Sequence, residues 1–440
     1  MLRPACLLLA VICLLLLAAD VPDDLIRRAN AAFLAGDVVA ADALYAAGYR
    51  VHVIAGRNFP PSDPLDASIL SRARWSFTLV DYSSGWRTRA QRIIRRLARL
   101  ILARCPRASL WLAARAHHPA CAQFAAAASR IRADLYIGHT LVGLIAAAAA
   151  ARRHHARLGF DAEDFHLWET DAASALPEEQ HSIRRLESAL LPRCVHLTAA
   201  APLIAATYAS TYGIREPLTV QNAFPLSEAP PLPDSIASPH SPARFYWFSQ
   251  TIGPGRGLES AVRTLALLKH PAALSLRGTL VNDAYARNLT ELARAAGFHG
   301  AIQFLPPAPS AEMARLASEH DIGLAIEPAT PLNRQLCLAN KLYTYLLAGI
   351  PTVCTPTRAH LAIARDLGDA ALVINLTEPA QAAAVLDAFL QDRPRYASAR
   401  RHAWHLGQTR YNWEHETPAL LAAVAQAVES LYLEASFTTA

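Results

Sequence analysis

Short apolar runs alternate with longer amphipathic segments along most of this chain, and this alternation predicts its secondary structure. In the first half the apolar runs predict strands, which lie at 51–55, 76–80, 134–139, 157–161, 194–198 and 218–222. In the second half strands are predicted at 244–249, 273–277, 301–305, 321–326 and 351–354, with helices at 258–268, 283–296, 310–319 and 340–348. Strands that alternate with helices are typical of α/β proteins with doubly wound parallel sheets.

A segment rich in proline and serine, residues 226–243, interrupts the alternation. Neither a helix nor a strand tolerates that density of proline, so the segment is predicted to be a linker. It separates a domain at 1–225 from a second domain at 244–399, which is followed by a helical segment at 400–440. Two such domains would enclose a cleft at the carboxyl ends of their strands, where ligands bind in α/β sheets. The segment 400–440 either packs back on the first domain or is a plain C-terminal docking helix.

Composition restricts the class of protein without identifying a partner. The 440 residues are 53% hydrophobic and 18% charged, which fits buried sheets in two or three domains and argues against disorder. The net charge of +6 requires no nucleic-acid partner. The seven cysteines lack metal-site spacing, so we expect reduced thiols without disulfides or zinc. Lys269 and Lys341 are the only lysines, which makes the lysine at 341 worth examining.

A glycine-rich turn between a predicted strand and a predicted helix is the most informative motif. The apolar run 245–248 leads to Gly253-Pro254-Gly255-Arg256-Gly257, and the helix follows. Glycines let the backbone approach a phosphate, a helix N-terminus directs N–H groups at it, and an arginine binds two of its oxygens. The motif predicts a diphosphate site, and an ordinary surface turn is the alternative. A dinucleotide site is disfavoured, because the next strand ends in Arg277-Gly278 and not in an acidic residue.

The start of the predicted helix at 340–348 is a second candidate anion site. Asn340 is a predicted N-cap, and Lys341 then lies in the first turn, where a cation opposes the helix dipole. A bound polyanion would remove this conflict, so we place Lys341 at a phosphate. A solvated surface lysine is the alternative.

These motifs resemble those of a known class of enzymes. The chain is similar to glycosyltransferases of the GT-B fold and, within that class, to family 4, the group-1 glycosyltransferases. The similar stretches are 158–166, 191–194, 221–225, 252–259 and 340–351. The resemblance implies two Rossmann-like domains, a nucleotide-sugar donor held mainly by the second, and an acceptor site in the first. It also implies that neither a metal nor a cofactor is needed, with Arg256 and Lys341 at the family's phosphate-binding positions.

The chain departs from the family pattern at the ribose-binding positions. Leu336 and Thr344 stand where the family has two glutamates, and Thr251 stands where it often has an arginine. Glu327, which follows the predicted strand 321–326, is either a substitute polar contact to the donor or a carboxylate at the rim. The predicted donor site consists of Gly253, Gly255, Arg256, Gly257, Arg277, Glu327, Asn340, Lys341 and Thr344.

Candidate acid–base residues lie at the ends of two predicted strands in the first domain. His139 ends one strand, and Asp161, Glu163 and Asp164 lie at the end of the next. A histidine or carboxylate there can orient or deprotonate an acceptor hydroxyl, so we predict His139, Asp161 and Asp164 as catalytic residues. A structural histidine and a strand-end network are the alternatives. The resemblance implies retention of anomeric configuration, in which protein groups mainly position the sugar and stabilise charge.

Arginines alternate with aliphatic residues between Arg87 and Arg104. Such an amphipathic helix can make peripheral contact with an anionic bilayer, and a core-facing helix with a solvated arginine face is the alternative. Nucleic acid is not expected, because no aromatic residues are interleaved with the arginines.

The apolar run Cys6–Ala19 has two interpretations. It belongs to a signal peptide at 1–19, or it contains the first buried strand of a parallel sheet that leads into a helix at 23–34. We favour the strand and a cytoplasmic enzyme, because a nucleotide-dependent enzyme needs a cytosolic substrate.

The sequence thus predicts a hexosyltransferase-like enzyme that transfers a sugar from a nucleotide-sugar donor to a sugar or lipid-linked acceptor. Such an enzyme belongs to polysaccharide or glycolipid synthesis. Two alternatives stay open: a non-hydrolysing sugar-nucleotide epimerase of the same architecture, and a degenerate homologue that only binds the sugar nucleotide. The epimerase would release a free sugar nucleotide without consuming acceptor.

Overall fold

The chain divides into two compact units, one of residues 1–221 and 416–440 and the other of residues 222–415. The computed structural model describes residues 12–13, 38–57, 67, 69–82, 85–105, 107–170, 176–231 and 239–438. The unit boundary at 221–222 lies just before the proline-rich segment. Most of the last helix belongs to the first unit.

The first unit contains the following strands and helices. Its strands are β1 (Ile12–Cys13), β2 (His52–Arg57), β3 (Ser76–Asp81), β4 (Leu135–His139), β5 (Arg157–Ala162), β6 (Cys194–Ala199) and β7 (Leu218–Thr219). Its helices are α1 (Val38–Ala46), α2 (Gly85–Arg104), α3 (Leu110–His117), α4 (Cys121–Ala128), α5 (Thr140–His154), α6 (Pro177–Leu190), α7 (Pro202–Tyr212) and, from residue 416, the last helix, at Trp413–Thr438.

The main sheet of this unit has the strand order β1-β4-β5-β6-β7, and β4 to β7 are parallel. All five residues of β4 are buried, as expected for a strand with a helix on each face. β2 and β3 form a separate parallel pair. The prediction that the N-terminal run contributes a parallel strand is wrong for Ile12–Cys13, because β1 pairs with β4 antiparallel. The rest of that run and the predicted helix at 23–34 lie outside the described residues.

The second unit is a six-stranded parallel sheet with helices. Its strands are β8 (Ala243–Ile252), β9 (Ala272–Leu280), β10 (Ile302–Leu305), β11 (Ile322–Ala325), β12 (Thr352–Cys354) and β13 (Ala371–Val373). Its helices are α8 (Leu258–Leu265), α9 (Asp283–Ala295), α10 (Met313–Ser318), α11 (Asn340–Leu347), α12 (Arg358–Leu367), α13 (Pro379–Gln391) and α14 (Arg393–Thr409).

The order of these strands, β10-β9-β8-β11-β12-β13, fixes where a ligand can bind. The chain builds the sheet outward from β8 in one direction and then returns to build from β11 in the other. The order therefore reverses between β8 and β11, and doubly wound sheets bind ligands beyond the carboxyl ends of the strands at such a point. The core beneath one face of the sheet is apolar, with Phe245, Trp247 and Leu324 buried.

Most predicted elements are present with shifted ends. β9 continues to Leu280, three residues past its predicted end, and the predicted strand at 218–222 is paired only at Leu218–Thr219. The predicted helix at 310–319 begins as a 3-10 turn, Ser310–Glu312, before α10. Two helices that meet at residues 410–412 form the C-terminal segment. Within the described part of the chain, no helix combines the length and hydropathy needed to span a bilayer.

Candidate functional site

The glycine loop of the second unit begins where β8 ends. Gly255 and Gly257 have φ angles of +73° and +76°, in the left-handed region that side chains with a Cβ rarely adopt. Gly257 is the N-cap of α8, and an added Cβ there would meet Ile326 only at an ordinary 3.6 Å. Conformation and not space therefore requires glycine at this position. The loop turns the chain at the sheet edge so that the first N–H groups of α8 point outward from that edge.

Glu327 lies just after β11 and forms ion pairs with two cationic side chains. Its carboxylate accepts from Arg334 Nη1 at 2.9 Å and from Lys341 Nζ at 3.2 Å, and its side chain is only 14% exposed. Thr355, which follows β12, fixes the Glu327 backbone. The Glu327 N–H donates to the Thr355 hydroxyl at 2.8 Å, and that hydroxyl donates to the Glu327 carbonyl at 2.7 Å. The carboxylate is therefore held in place at the strand ends.

Arg256 and Trp247 complete the surroundings of this ion pair. The Arg256 guanidinium donates to Thr251 Oγ1 at 3.3 Å and is close enough to lower the pKa of Glu327. Lys341 Nζ lies 5.6 Å from the centroid of the Trp247 ring, within cation–π range. Burial raises the pKa of Glu327, but Lys341, Arg334 and Arg256 outweigh burial and hold it below its ordinary value. The carboxylate is thus ionised at neutral pH.

Three cations therefore surround one carboxylate at the point where the strand order reverses. Arg256, Arg334 and Lys341 against Glu327 leave a net charge of about +2 in this cluster. Such a cluster, next to the N-terminus of α8, favours an anionic ligand. We call these four residues the cation cluster.

Arg334 was missed in the sequence analysis as a candidate ligand. It lies in the 3-10 turn Leu332–Gln335, which has no helical or strand periodicity. Its position midway between Glu327 and Lys341 in the sequence carries no spacing signal on its own. Only the turn that brings it back beside Glu327 shows its place in the cation cluster.

The start of α11 differs from its prediction. The helix begins at Asn340, so Ala339 and not Asn340 is the N-cap, and no side chain caps the turn. Lys341 does lie in the first turn. The buried Thr344 hydroxyl donates to the Asn340 carbonyl at 3.1 Å, inside the helix. A threonine at this position satisfies its own hydroxyl locally, as threonine commonly does in helices.

Arg277 is bonded to groups of neighbouring strands and loops. Its Nε donates to the Tyr246 hydroxyl at 2.9 Å, and its Nη1 donates to the Pro306 carbonyl at 2.9 Å. These bonds link β8, β9 and the loop after β10. Among the predicted donor residues, the structure thus brings together Arg256, Glu327 and Lys341.

In the first unit, three adjacent strands align polar residues at one level. His139 on β4 is in register with Asp161 on β5, and Asp161 is in register with Thr198 on β6. His139 Nδ1 lies 3.0 Å from Asp161 Oδ2, and the Thr198 hydroxyl donates to Asp161 Oδ1 at 2.5 Å. Glu163 Oε1 is 3.8 Å from His139 Nδ1. His139 is fully buried and is the N-cap of α5.

The environment of Asp161 keeps it ionised. Burial raises the pKa of its carboxyl, but the hydrogen bonds from His139 and Thr198 outweigh burial and lower the pKa below its ordinary value. His139, Asp161 and Glu163 also form a group able to hold a metal ion, since one ligand atom of each lies within 4.8 Å of the others. A metal there would have to replace the contact between His139 and Asp161.

Asp164 belongs to a different set of contacts from Asp161. Its carbonyl accepts from the Tyr208 hydroxyl at 3.1 Å. Next to it, the Leu141 N–H donates to His166 Nε2 at 3.1 Å, so His166 carries its proton on Nδ1 and donates to Glu187 at 2.7 Å. This buried network holds the first turn of α5, directly after His139. In the sequence, His166 stands out only as the last residue of the similar stretch 158–166.

Comparisons with known proteins identify the fold. No protein-family model matches the chain, and no curated protein sequence matches it. Anabaena Alr3699/HepE in complex with UDP has a TM-score of 0.62 and 13% identity, over 89% of this chain and 94% of that one. Sucrose-phosphate synthase from Thermosynechococcus elongatus has a TM-score of 0.65 and 13% identity, over 92% and 96%. A glycosyltransferase from Rickettsia africae has a TM-score of 0.61 and 11% identity, over 89% and 94%.

These similarities confirm the predicted fold class. The chain is an α/β protein of the GT-B fold, with two Rossmann-like domains. Identities of 11–13% carry the likeness no further than the fold. The activity has to be argued from the residues of the two sites.

Proposed function

We propose that this GT-B protein is a glycosyltransferase of the family 4 type, which transfers a sugar from a nucleotide-sugar donor to an acceptor hydroxyl. We further propose that it acts with retention and without a metal ion. The observation that carries the proposal is the cation cluster beside the glycine loop, at the reversal of strand order in the second unit. The diphosphate of a sugar nucleotide is the ligand group whose charge fits this site.

Charge balance supports a diphosphate as the ligand. The cluster has a net charge of about +2, and a diphosphate diester, as in a sugar nucleotide, carries two negative charges at neutral pH. Glycine loops at helix N-termini bind phosphates through their backbone N–H groups. The loop after β8 and the cations after β11 therefore supply complementary donors to one diphosphate.

The same residues support catalysis of the transfer step. When the bond between the sugar C1 and the phosphate oxygen breaks, negative charge develops on the leaving diphosphate. Lys341, which Glu327 and the Trp247 ring hold at the strand ends, turns from the carboxylate to the diphosphate and stabilises this charge. Arg256 and Arg334 spread the charge over further oxygens. Cations in these positions perform the role that a divalent metal has in other transferases, which supports metal independence.

Our proposal for the donor nucleotide rests on the ligands of structurally similar proteins and not on residues of this chain. HepE has been solved with UDP and with UDP-glucose. UDP-sugars are therefore the first donors to test. Thr344 offers no carboxylate to a ribose, so we propose that Glu327, after donor binding redirects Lys341 and Arg334, supplies a polar contact to the donor.

We assign the acceptor side of the reaction to the cluster of His139, Asp161 and Glu163 in the first unit. Asp161 is ionised and holds the buried His139, and the partly exposed Glu163 beside them can orient an acceptor hydroxyl or a donor sugar. In a retaining reaction with attack on the donor's own face, orientation matters more than proton removal. The acceptor is proposed to be a sugar or a lipid-linked sugar.

A donor screen tests the proposal. UDP-, GDP- and ADP-glucose are compared for thermal stabilisation of the protein, with uridine as a control that lacks phosphate. A donor present at 100 times its Kd stabilises the folded state by about 2.7 kcal/mol. We expect one nucleotide series to stabilise the protein and its nucleoside not to do so. If no nucleotide diphosphate or sugar nucleotide raises the melting temperature, the proposal is wrong.

Product analysis then separates transfer from epimerisation. A glycosyltransferase releases the nucleoside diphosphate in proportion to the glycoside that it forms. An epimerase instead releases a free sugar nucleotide without consuming acceptor. Conversion that is independent of acceptor would contradict the proposed transferase.

A further inference from the structure

The long helix α2 exposes a continuous apolar stripe. Ile93, Leu97, Leu100 and Ile101 are 56%, 54%, 56% and 48% exposed. Successive members of this set are four, three and one residues apart, and this spacing places all of them on one face of the helix. Trp86, two turns before Ile93 on the same face, is 75% exposed. Single exposed leucines are ordinary, but a contiguous stripe of large apolar side chains marks an interaction surface.

The opposite face of α2 fixes the helix to its own unit. Thr88, Ala98 and Leu102 are buried there. On this inner face, Arg95 Nε donates to the His117 carbonyl at 3.0 Å and Arg99 Nη2 binds Glu179 at 2.7 Å. Thr88, Ala98, Leu102 and two arginines thus lie on the inner face, while Ile93, Leu97, Leu100 and Ile101 face outward. A core-facing helix would not leave such an apolar stripe exposed.

The charges beside the stripe identify what it fits. Gly85–Arg104 contains seven arginines and no acidic residue. Arg89, Arg92 and Arg96 are exposed on the flank of the apolar stripe. On the next helix, Trp111 is 63% exposed. An apolar face with tryptophan and flanking arginine is the pattern of a helix that lies in the plane of a membrane interface.

We propose that the apolar stripe of α2 docks on an anionic lipid bilayer, with its flanking arginines at the lipid phosphates. A second copy of the chain fits this face poorly, because a symmetric contact would bring two arginine-rich, acid-free helices together. This docking does not depend on the proposed sugar transfer. It would place the first unit, which carries the proposed acceptor cluster, at the membrane surface.

Vesicle sedimentation of the full-length protein tests the docking. One set of vesicles is phosphatidylcholine alone, and the other contains about 30% phosphatidylglycerol, which gives the surface a negative potential. We expect binding to the anionic vesicles that weakens as salt is raised. If the wild-type protein does not sediment with anionic vesicles at low salt, the proposal is overturned.

Two pairs of substitutions separate the apolar and the electrostatic contributions. Leu97→Gln with Leu100→Gln removes exposed side chains that we expect to enter the bilayer, so vesicle affinity should fall by at least about tenfold. Arg92→Gln with Arg96→Gln should reduce it by about 25-fold, at about fivefold for each arginine. Leu361→Gln, which changes an equally exposed leucine on α12, should leave the affinity unchanged.

Two further observations decide between occupants of this face. Circular dichroism and thermal melting check that each variant is folded, and the arginine pair provides an independent test if the leucine pair is not. Unchanged affinity in a folded leucine variant would overturn the proposal. Light scattering that shows a wild-type dimer and a monomeric leucine variant would assign the stripe to a second copy and would also overturn it.

Discussion

We expect Glu327→Gln to destabilise the unliganded protein and to increase its affinity for pyrophosphate. In the structure the carboxylate accepts from Arg334 and Lys341, the cations that we propose as phosphate ligands. The carboxylate therefore stabilises the cation cluster when no anion is bound and competes with an anion for the same donors. Glutamine keeps the size of the side chain and removes the charge.

The geometry gives the magnitude of both the loss of stability and the gain in affinity. Breaking a buried ion pair costs about 3–5 kcal/mol, and the solvent access of Arg334 reduces this to about 1–3 kcal/mol here. A phosphate oxygen bound to Lys341 Nζ would lie within about 6 Å of the carboxylate. Removing a unit charge at this distance contributes about 1–2 kcal/mol after screening, which is roughly a 5- to 30-fold gain in affinity.

Thermal melting and calorimetric titration with inorganic pyrophosphate measure the two effects. Pyrophosphate is the preferred probe because it has no ribose or base that Glu327 could contact. The melting temperature of the unliganded variant should fall by several degrees, at about 2–4 °C for each kcal/mol. Glu319→Gln is the control, since it removes an exposed partner of Arg315 in the same unit. Weaker or unchanged pyrophosphate binding by Glu327→Gln would refute the competition between carboxylate and phosphate.

Three further outcomes follow from the described residues. Arg334→Gln should lower kcat/KM by about 10- to 100-fold, whereas Arg315→Gln should not change it; equal values for Arg334→Gln and wild type would remove Arg334 from the site. Burial lowers the pKa of His118 and His196 to about 4. The unfolded chain, with histidine pKa near 6.5, then binds more protons between pH 4 and 6.5, so stability falls as pH falls through this window, by up to about 2 kcal/mol per histidine at pH 5. His118→Asn should flatten the melting temperature between pH 7 and 5, and an unchanged slope would contradict this cause. Finally, EDTA should leave turnover unchanged, and a loss that Mg²⁺ or Mn²⁺ restores would contradict the proposed metal independence.

Most strands of the second unit were predictable because they are buried, although β13 was not predicted. Such strands appear as short apolar runs between amphipathic helices, and all five predicted strands of this unit occur with end shifts of a few residues. The end of a strand was harder to predict where backbone pairing with a neighbouring strand, and not hydropathy, determines it. β9 reaches Leu280 because its last residues pair with Thr251 and Ile252 of β8.

The candidate site was predictable where backbone conformation demands a residue type. Gly255 and Gly257 are needed for left-handed backbone, so the loop is visible in the sequence. Arg334 and Thr198 were not predicted as site residues. Arg334 depends on a turn without periodicity, and Thr198 depends on the register of β5 with β6. The sequence does not encode register in any local pattern, which is why the contact with Asp161 appears only in the folded sheet.

Nucleotide binding by the lysine variants tests the central claim most directly. The chain has two lysines, one in the cation cluster and one exposed, so Lys269→Met is a matched control for Lys341→Met. The ligand is the nucleoside diphosphate that stabilises the wild-type protein, and the measurement is its Kd by titration calorimetry. Loss of a charge-assisted hydrogen bond predicts a Kd about 10- to 100-fold weaker for Lys341→Met and an unchanged Kd for Lys269→Met. Equal affinities of wild type and Lys341→Met would contradict a diphosphate site at the cation cluster.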